Sequence, residues 1–357
     1  MKSLRGWDLG LVGAGIALVT ISAIAMASAA STVSGGLALR HGLWIAIGLA
    51  LFVGVASTNF HRWIDTSGLA YGVSLILLAI VLAAGTVRFG ATRWLSLFGL
   101  SVQPSEFAKL ATTLLLARYL AGQTSPLPAR VALTALALVI PSALLVFVQP
   151  DLGSSSIVLA IWLGMAWVAG MSRKTLAGCA AALMVLAPVA WQLLKGYQRD
   201  RLLAFVNPHA DPLGAGYTII QSTIAIGSGR LWGRGWFAGT QNQLSFLPEH
   251  HSDFIFSVIG EEWGFLGCVA VVGAFAWLLF RMLHIALSAS SPQGRLLAAG
   301  VFSWIAYQAF VNMGMVIGLL PVVGVPLPLI SYGGSSMIML WIALGLVQSV
   351  SRTDAMR

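Results

Sequence analysis

Apolar runs, most of them about 18 residues or longer, recur from one end of this 357-residue chain to the other. A run of about that length crosses a bilayer as one helix, the form in which a segment satisfies its own backbone hydrogen bonds. Ten are legible, over 9–30, 42–57, 67–87, 104–121, 130–148, 154–171, 175–194, 262–283, 296–319 and 334–350. Only 9% of the residues are charged, against about 25% in soluble domains, so a soluble globular fold is excluded. The expected fold is an all-α integral membrane protein: a polytopic bundle of about ten transmembrane helices, with a long extracytoplasmic loop containing short amphipathic helices. No separate soluble domain and no repeat is visible, so residues 1–357 read as a single membrane domain.

Lys2 and Arg5 precede the first run, and Ala27-Ser28-Ala29 resembles a signal-peptide cleavage site. The run exceeds the roughly 7–15 residues of a signal-peptide core, so it is read as a retained first helix. An even number of spans places both termini on one side. The loops on that side carry Lys2, Arg5, Arg62, Arg118, Arg130, Arg173, Lys174, Arg281, Arg295, Arg352 and Arg357. The short loops opposite carry Arg40, Arg88 and Arg93. Lys and Arg gather in short cytoplasmic loops, so both termini are expected in the cytoplasm and the interval 195–261 outside. The net charge of +9 is explained by these loops and does not suggest nucleic acid. Cys179 and Cys268 lie within apolar runs and have neither disulfide nor metal-site spacing.

The segment LPEHHSDFIFSVIGEE, 247–262, places Glu249, His250, His251, Asp253, Glu261 and Glu262 within sixteen residues. A chain this poor in carboxylates that gathers them locally points to chemistry or binding there. Burial beside a membrane helix raises a carboxylate's pKa and suits a general base, so Asp253 is a candidate base; an N-cap of the eighth span is the plainer reading. His250 and His251, being adjacent, are poor joint metal ligands and read as surface or interface groups. Glu261 and Glu262 enter the eighth helix, one expected toward the interior and one toward the rim.

Other features frame this cluster. Glu106 and Lys109, three apart on the fourth helix, share a face. They are either a self-neutralising structural pair or the lining of a site, in which case Lys109 reaches Asp253 or a phosphate. Pro104 suits the first turn of that helix, and Asp151 is placed to cap the sixth. Lys195, Arg199, Arg201, Arg230 and Arg234 form an outward basic set. Arginine's fork binds two phosphate oxygens at once, so these side chains suit either anionic headgroups or a lipid-linked pyrophosphate. Residues 216–227 form an amphipathic run, and Trp232, Trp236 and Phe237 suit the headgroup level. LLPVVGVPLPLISYGGSS, 319–336, is uncharged and cannot be one helix because of Pro321, Pro326 and Pro328; it is expected to dip back into the protein or membrane on the outer side. Enzyme and transporter both remain open on these residues.

The stretches GATRWLSLFGLSVQPSEFAKL (90–110), QPDLGSSS (149–156), GYTIIQSTIAIGSG (216–229), GTQNQLSFLPEHHSDFIFSVIGEEWGFLG (239–267) and NMGMVIGLLPVVGVPLPLISYGGSS (312–336) resemble the SEDS family (shape, elongation, division and sporulation). They resemble its elongation branch more than its division branch, and they run in order through nearly the whole chain. One departure is Gly229-Arg230, where the family usually has a glycine pair. The resemblance implies ten membrane helices in one SEDS-type domain, with a catalytic loop at about 195–261. It also implies a peptidoglycan glycosyltransferase of the cytoplasmic membrane that polymerises lipid II at the outer face during elongation, releasing undecaprenyl pyrophosphate. Asp253 matches the family's essential acidic position, and Glu106 and Lys109 its ion pair. The implied partner is a class B penicillin-binding protein, a transpeptidase, within the elongation machinery. Arg93, Arg199, Arg201, Arg230, Arg234, Glu249 and His251 are the candidate substrate-binding residues, with Lys109 and some arginines stabilising the leaving group. A divalent cation, Mg or Mn, is a candidate helper, although no cluster has ligand spacing for one. The rival readings are a lipid II flippase and a non-catalytic scaffold for the transpeptidase.

Overall fold

The computed structural model describes residues 6–32, 36–88, 91–97, 100–244 and 246–355. In chain order its elements are α1 (Leu9–Ala29), α2 (Leu37–Ser57), α3 (Phe60–Asp65), α4 (Ser67–Ala84), β1 (Thr86–Arg88), β2 (Ala91–Leu97), β3 (Leu100–Val102), α5 (Pro104–Ala121), α6 (Ala129–Val148), α7 (Leu152–Val168), α8 (Arg173–Leu193), α9 (Gly196–Val206), α10 (Tyr217–Gly229), α11 (Thr240–Gln243), α12 (Ile255–Ser288), α13 (Pro292–Val316) and α14 (Gly334–Ala355). Each expected span has its helix: α1, α2, α4 to α8, and α12 to α14. Among the described residues, α1, α2, α4, α6, α12, α13 and α14 are long and apolar enough to cross a membrane. Helix α7 is shorter, at 17 residues, and α5 carries Glu106, Lys109 and Arg118.

Side-chain caps start several helices where the sequence places them. The Asp8 carboxylate accepts from Leu11 N at 2.8 Å and also holds Arg281 of α12 at 2.6 and 3.0 Å, so one residue begins α1 and fastens it to α12. Asp151 caps α7 as expected, accepting from Ser154 N at 3.0 Å, and Pro104 sits in the first turn of α5. Both described ends lie at one face, where Gln348 and Ser351 of α14 donate to Gly6 O. Arg62, Arg118, Arg130, Arg173, Lys174, Arg281, Arg295 and Arg352 lie on or near helix ends at that face; Lys2, Arg5 and Arg357 lie outside the described residues. The opposite face, here the loop face, carries residues 195–253.

Three features had no counterpart in the sequence reading. Strands β1, β2 and β3 form a small antiparallel sheet on the loop face, with Val87 paired to Thr92 and Leu95 to Val102. Strands this short offer no usable period-2 pattern. Helix α12 begins at Ile255, seven residues before the expected 262, and it is broken at Gly264, whose φ is 68° and ψ −160°. Finally, the loop 230–235 occupies that break. Arg234 N and Gly235 N donate to Glu261 O and Glu262 O, while Phe265 N and Leu266 N donate to Arg230 O and Leu231 O. The backbone groups freed by the break are thereby paired, as burial in or near a membrane demands.

The helices differ sharply in how much protein surrounds them. Helices α13 and α14 are central and mostly buried, Trp304 and Trp341 among their fully enclosed side chains. No described side chain of α8 is fully buried; Leu176 and Cys179 touch the core, and Leu183 to Leu186 are exposed. The 319–336 connection folds back as expected, burying Val322, Val325, Leu327, Leu329 and Ile330 under the loop face.

Candidate functional site

The turn leading into α12 presents Asp253. Glu249 takes a positive φ of 53°, and its carbonyl accepts from Ser252 N, Asp253 N and Phe254 N at 3.1, 3.1 and 3.3 Å. Asp253 does not cap α12; Phe254 holds that position, with no side-chain cap. Three successive carbonyls of the turn are gripped from below. His251 O accepts from Tyr332 N at 3.0 Å, Ser252 O from Ser331 Oγ at 2.5 Å, and Asp253 O from Asn312 Nδ2 at 2.8 Å. The back-folded connection and α13 thus hold the turn while the Asp253 carboxylate faces Gly324 and Arg201, the nearest atoms to the space a Gly324 side chain would fill.

Burial pushes the Asp253 carboxyl up to about 6, the Glu249 charge adding to the effect and Arg201 and Arg93 opposing it. A carboxyl poised there is a base at neutral pH with a stronger pull on a proton than an ordinary aspartate. Arg93 donates to Pro150 O and lies 3.9 Å from Asp151 Oδ1. Gln103 Nε2 lies 3.4 Å from the other Asp151 oxygen. The exposed Arg201 guanidinium stands 5.7 Å from the Tyr197 ring centroid, and Tyr197 donates to Pro150 O at 3.3 Å. Arg93, Pro150, Tyr197, Arg201 and Val323 line one cleft beside Asp253. Glu249 and His251 border the turn, 3.9 Å apart; burial lowers the His251 pKa against the pull of Glu249.

The structure therefore gathers Asp253, Arg93, Arg201, Glu249 and His251, but not every expected residue. Lys109 reaches neither Asp253 nor an open surface. It is 1% exposed, and its ammonium donates to Glu106 Oε1 at 2.7 Å and Gln308 Oε1 at 3.2 Å, 5.0 Å from the Trp304 ring centroid. The shared face of Glu106 and Lys109 is turned into the core against α13, so the expectation of direct contact with Asp253 or phosphate is corrected. Arg199 folds back onto the end of α8, donating to Trp191 O and Gln192 O. Arg230 lies in the loop at the α12 break, and Arg234 there donates to Thr240 Oγ1 at 3.0 Å.

Two further expectations fail through burial. His250 is 5% exposed, its ring nitrogens 2.9 and 3.2 Å from Leu247 O and Ala29 O, and is no surface group. Glu261 and Glu262 are both enclosed, neither on a rim. Glu261 accepts from Thr240 Oγ1 and Gln241 N at the start of α11, and Glu262 from Ser28 Oγ and Asn242 Nδ2. Both lie inside α12 and not at its start, and α11 and α1 cover them. Among the described residues no three His, Cys, Asp or Glu side chains converge as a metal site. The sequence reading missed Gln308, Asn312, Gly324 and Tyr197. Its one usable signal was a pair of amides, Gln308 and Asn312, four apart in an otherwise apolar helix.

Comparison with known proteins places the chain and its fold. The family described as cell cycle protein, FTSW_RODA_SPOVE, matches residues 8–356. The peptidoglycan glycosyltransferase MrdB of Escherichia coli strain K12 is 41% identical over 336 residues, 94% of this chain and 90% of that protein. A solved structure described as "Structural coordination of polymerization and crosslinking by a peptidoglycan synthase complex" superposes with a TM-score of 0.83 at 38% identity, covering 97% of this chain and 98% of the other. The rod shape determining protein RodA of Thermus thermophilus superposes with a TM-score of 0.73 at 32% identity, covering 99% and 98%.

Proposed function

The chain belongs to the FtsW/RodA/SpoVE family of cell cycle proteins, and from that membership we infer that it is a peptidoglycan glycosyltransferase that polymerises lipid II into glycan strands during cell elongation. The observation that carries the mechanism is Asp253, a carboxyl raised to about 6 beside the Arg93 and Arg201 cleft. Asp253 takes the proton of the acceptor sugar's 4-hydroxyl. That oxygen bonds to the anomeric carbon of the lipid-linked donor strand, inverting it, as the bond to pyrophosphate breaks. The pyrophosphate leaves on its undecaprenyl lipid. Arg201 and Arg93 stabilise the charge growing on it, the kind of fixed electrostatic help that supplies much of an enzyme's rate. Glu249 and His251 border the acceptor side.

Lys109 takes no part at the leaving group in this scheme, because its charge is spent inside the bundle. A divalent cation, Mg or Mn, has no ready-made protein cage among the described residues, and no step here is routed through one. The membrane is the cytoplasmic one. The basic face bearing both described ends is cytoplasmic, by the preference of Lys and Arg for that side, and the loop face with Asp253 is extracytoplasmic. The partner is a class B penicillin-binding protein of the elongation machinery, a reading supported by the similarity to a chain of a peptidoglycan synthase complex.

The test uses purified wild-type and Asp253→Ala protein, each with its transpeptidase partner, incubated with lipid II and a divalent cation and resolved on a gel. Long strands from wild type and none from a folded mutant are expected. Strands from both remove Asp253 as the base, and strands from neither remove the polymerase reading.

A further inference from the structure

Two neutral amides lie fully buried between Lys109 and Asp253. Gln308 and Asn312 are one turn apart on α13, each 0% exposed. Gln308 Oε1 faces Lys109 Nζ at 3.2 Å and Trp304 Nε1 at 2.8 Å. Both can only donate, so the amide has one orientation, with its N–H groups directed at Pro326 O, 2.9 Å away. One turn on, Asn312 Nδ2 donates to Val325 O at 2.7 Å and to Asp253 O at 2.8 Å. Val325 follows Gly324, which borders the Asp253 carboxylate. Asn312 therefore fixes both the backbone that carries the carboxylate and the wall the carboxylate rests against.

We infer that Gln308 and Asn312 are positioning residues for Asp253, and that Lys109 serves the reaction through them rather than by touching substrate. The inference rests on the reading of Asp253 as the base. The Lys109 charge, paired with Glu106, sets the Gln308 amide; Gln308 and Asn312 hold residues 325 and 326; that segment and Asn312 set Asp253. A base displaced by about 1 Å from its proton can lose on the order of 100-fold in rate, so amides that touch no substrate can still govern turnover.

The experiment measures kcat and KM for lipid II, and the pH–rate profile, in the full chain with its transpeptidase partner. Asn312→Leu and Asn312→Asp keep the size and remove both N–H donors. Gln308→Glu keeps an acceptor for Lys109 and Trp304 and removes the donor to Pro326. Ser303→Ala, on the same helix with its hydroxyl donating back to Ala299 O, is the control. The expected result is a fall in kcat of about 10- to 100-fold, with KM within about twofold and Ser303→Ala unchanged. The acid limb of the profile should also move, because the carboxylate shifts relative to Glu249, Arg201, Arg93 and Asp151, the charges that face it. Wild-type kcat in these variants overturns the inference. So does a raised KM with kcat intact, or a lower kcat with an unmoved acid limb, which marks a loss of folded enzyme only. If the Asn312 variants do not fold, Gln308→Glu decides by the same readings. Asp253→Ala run alongside separates the two claims: strands from it sink the base itself, whereas an inert Asp253→Ala beside fully active amide variants sinks only the positioning role.

Discussion

The carboxylate of Asp253 rests against the backbone of Gly324: a β-carbon at that glycine would lie 3.3 Å from Asp253 Oδ2 and 3.8 Å from Arg201 Nη1. Gly324 also has a φ of 70°, in the left-handed region that glycine occupies without steric cost. Gly324→Ala should therefore press on the base and its neighbouring cation together. Turnover of lipid II is expected to fall by about tenfold or more, with a loss of about 1 kcal/mol in stability. Steady-state kinetics beside a detergent melting curve checks both.

Protonation of Asp253 should switch polymerisation off as pH falls through about 6. Glu249 raises this pKa and Arg201 lowers it. Glu249→Gln should move the acid limb to lower pH, and Arg201→Gln to higher pH. The position of the limb is the readout, since either variant can also change the maximal rate. An unmoved limb in both variants would show that another group controls the rate.

The same raised pKa predicts a stability effect of the opposite sense to that of a salt-bridged aspartate. The folded protein holds the Asp253 proton more tightly than an unfolded chain does, so stability falls as pH rises from the ordinary 3.8 toward about 6. Above that range the deficit is complete. Asp253→Asn, which carries no charge to bury, should melt higher than wild type by about 2–4 °C at pH 7.5. Near pH 4 the two should differ little.

Lys109→Met leaves Glu106 buried with its only ion-pair partner among the described residues gone. The expected loss is on the order of 3–5 kcal/mol. Adding Glu106→Gln should recover most of it, because no unpaired charge then remains. Melting curves of the single and double variants measure this. A Lys109→Met protein as stable as wild type would show that the pair does not hold the bundle together.

The break in α12 is built from glycines at close quarters. A β-carbon on Gly233 would come within 2.1 Å of Glu262 O, and one on Gly264 within 2.3 Å of Gly233 N, both positions having positive φ. Gly233→Ala and Gly264→Ala should each cost on the order of 2–4 kcal/mol. Size-exclusion behaviour and melting in detergent test this, with Gly273→Ala, which meets open space, as the tolerated comparison.

The spans were legible because a membrane helix needs length and hydropathy, and both are local properties. Asp253 was legible because a carboxylate in an apolar chain is conspicuous. What lay hidden depended on which way a face turns. Glu106 and Lys109 were correctly placed on one face of α5, but the direction of that face is set by packing against Trp304 and Gln308, nearly 200 residues away. Glu261 and Glu262 were assigned to a helix end, whereas α12 begins earlier and carries both inward. Asn312 bears no charge and follows no period, and its importance appears only once α13, the back-folded connection and the 249–254 turn meet.

Helix α8 touches the core through Leu176 and Cys179, while Leu183, Met184, Val185 and Leu186 further along it have little protein around them. A membrane helix held so lightly by protein would take its tilt from the bilayer: a thicker hydrocarbon layer would draw it upright and a thinner one lay it over. Arg199 donates to Trp191 O and Gln192 O at the end of α8, two residues before Arg201, so a change in that inclination would be felt at the cleft. With Asp253 read as the base, acyl-chain length would then count among the dimensions of the site it works in.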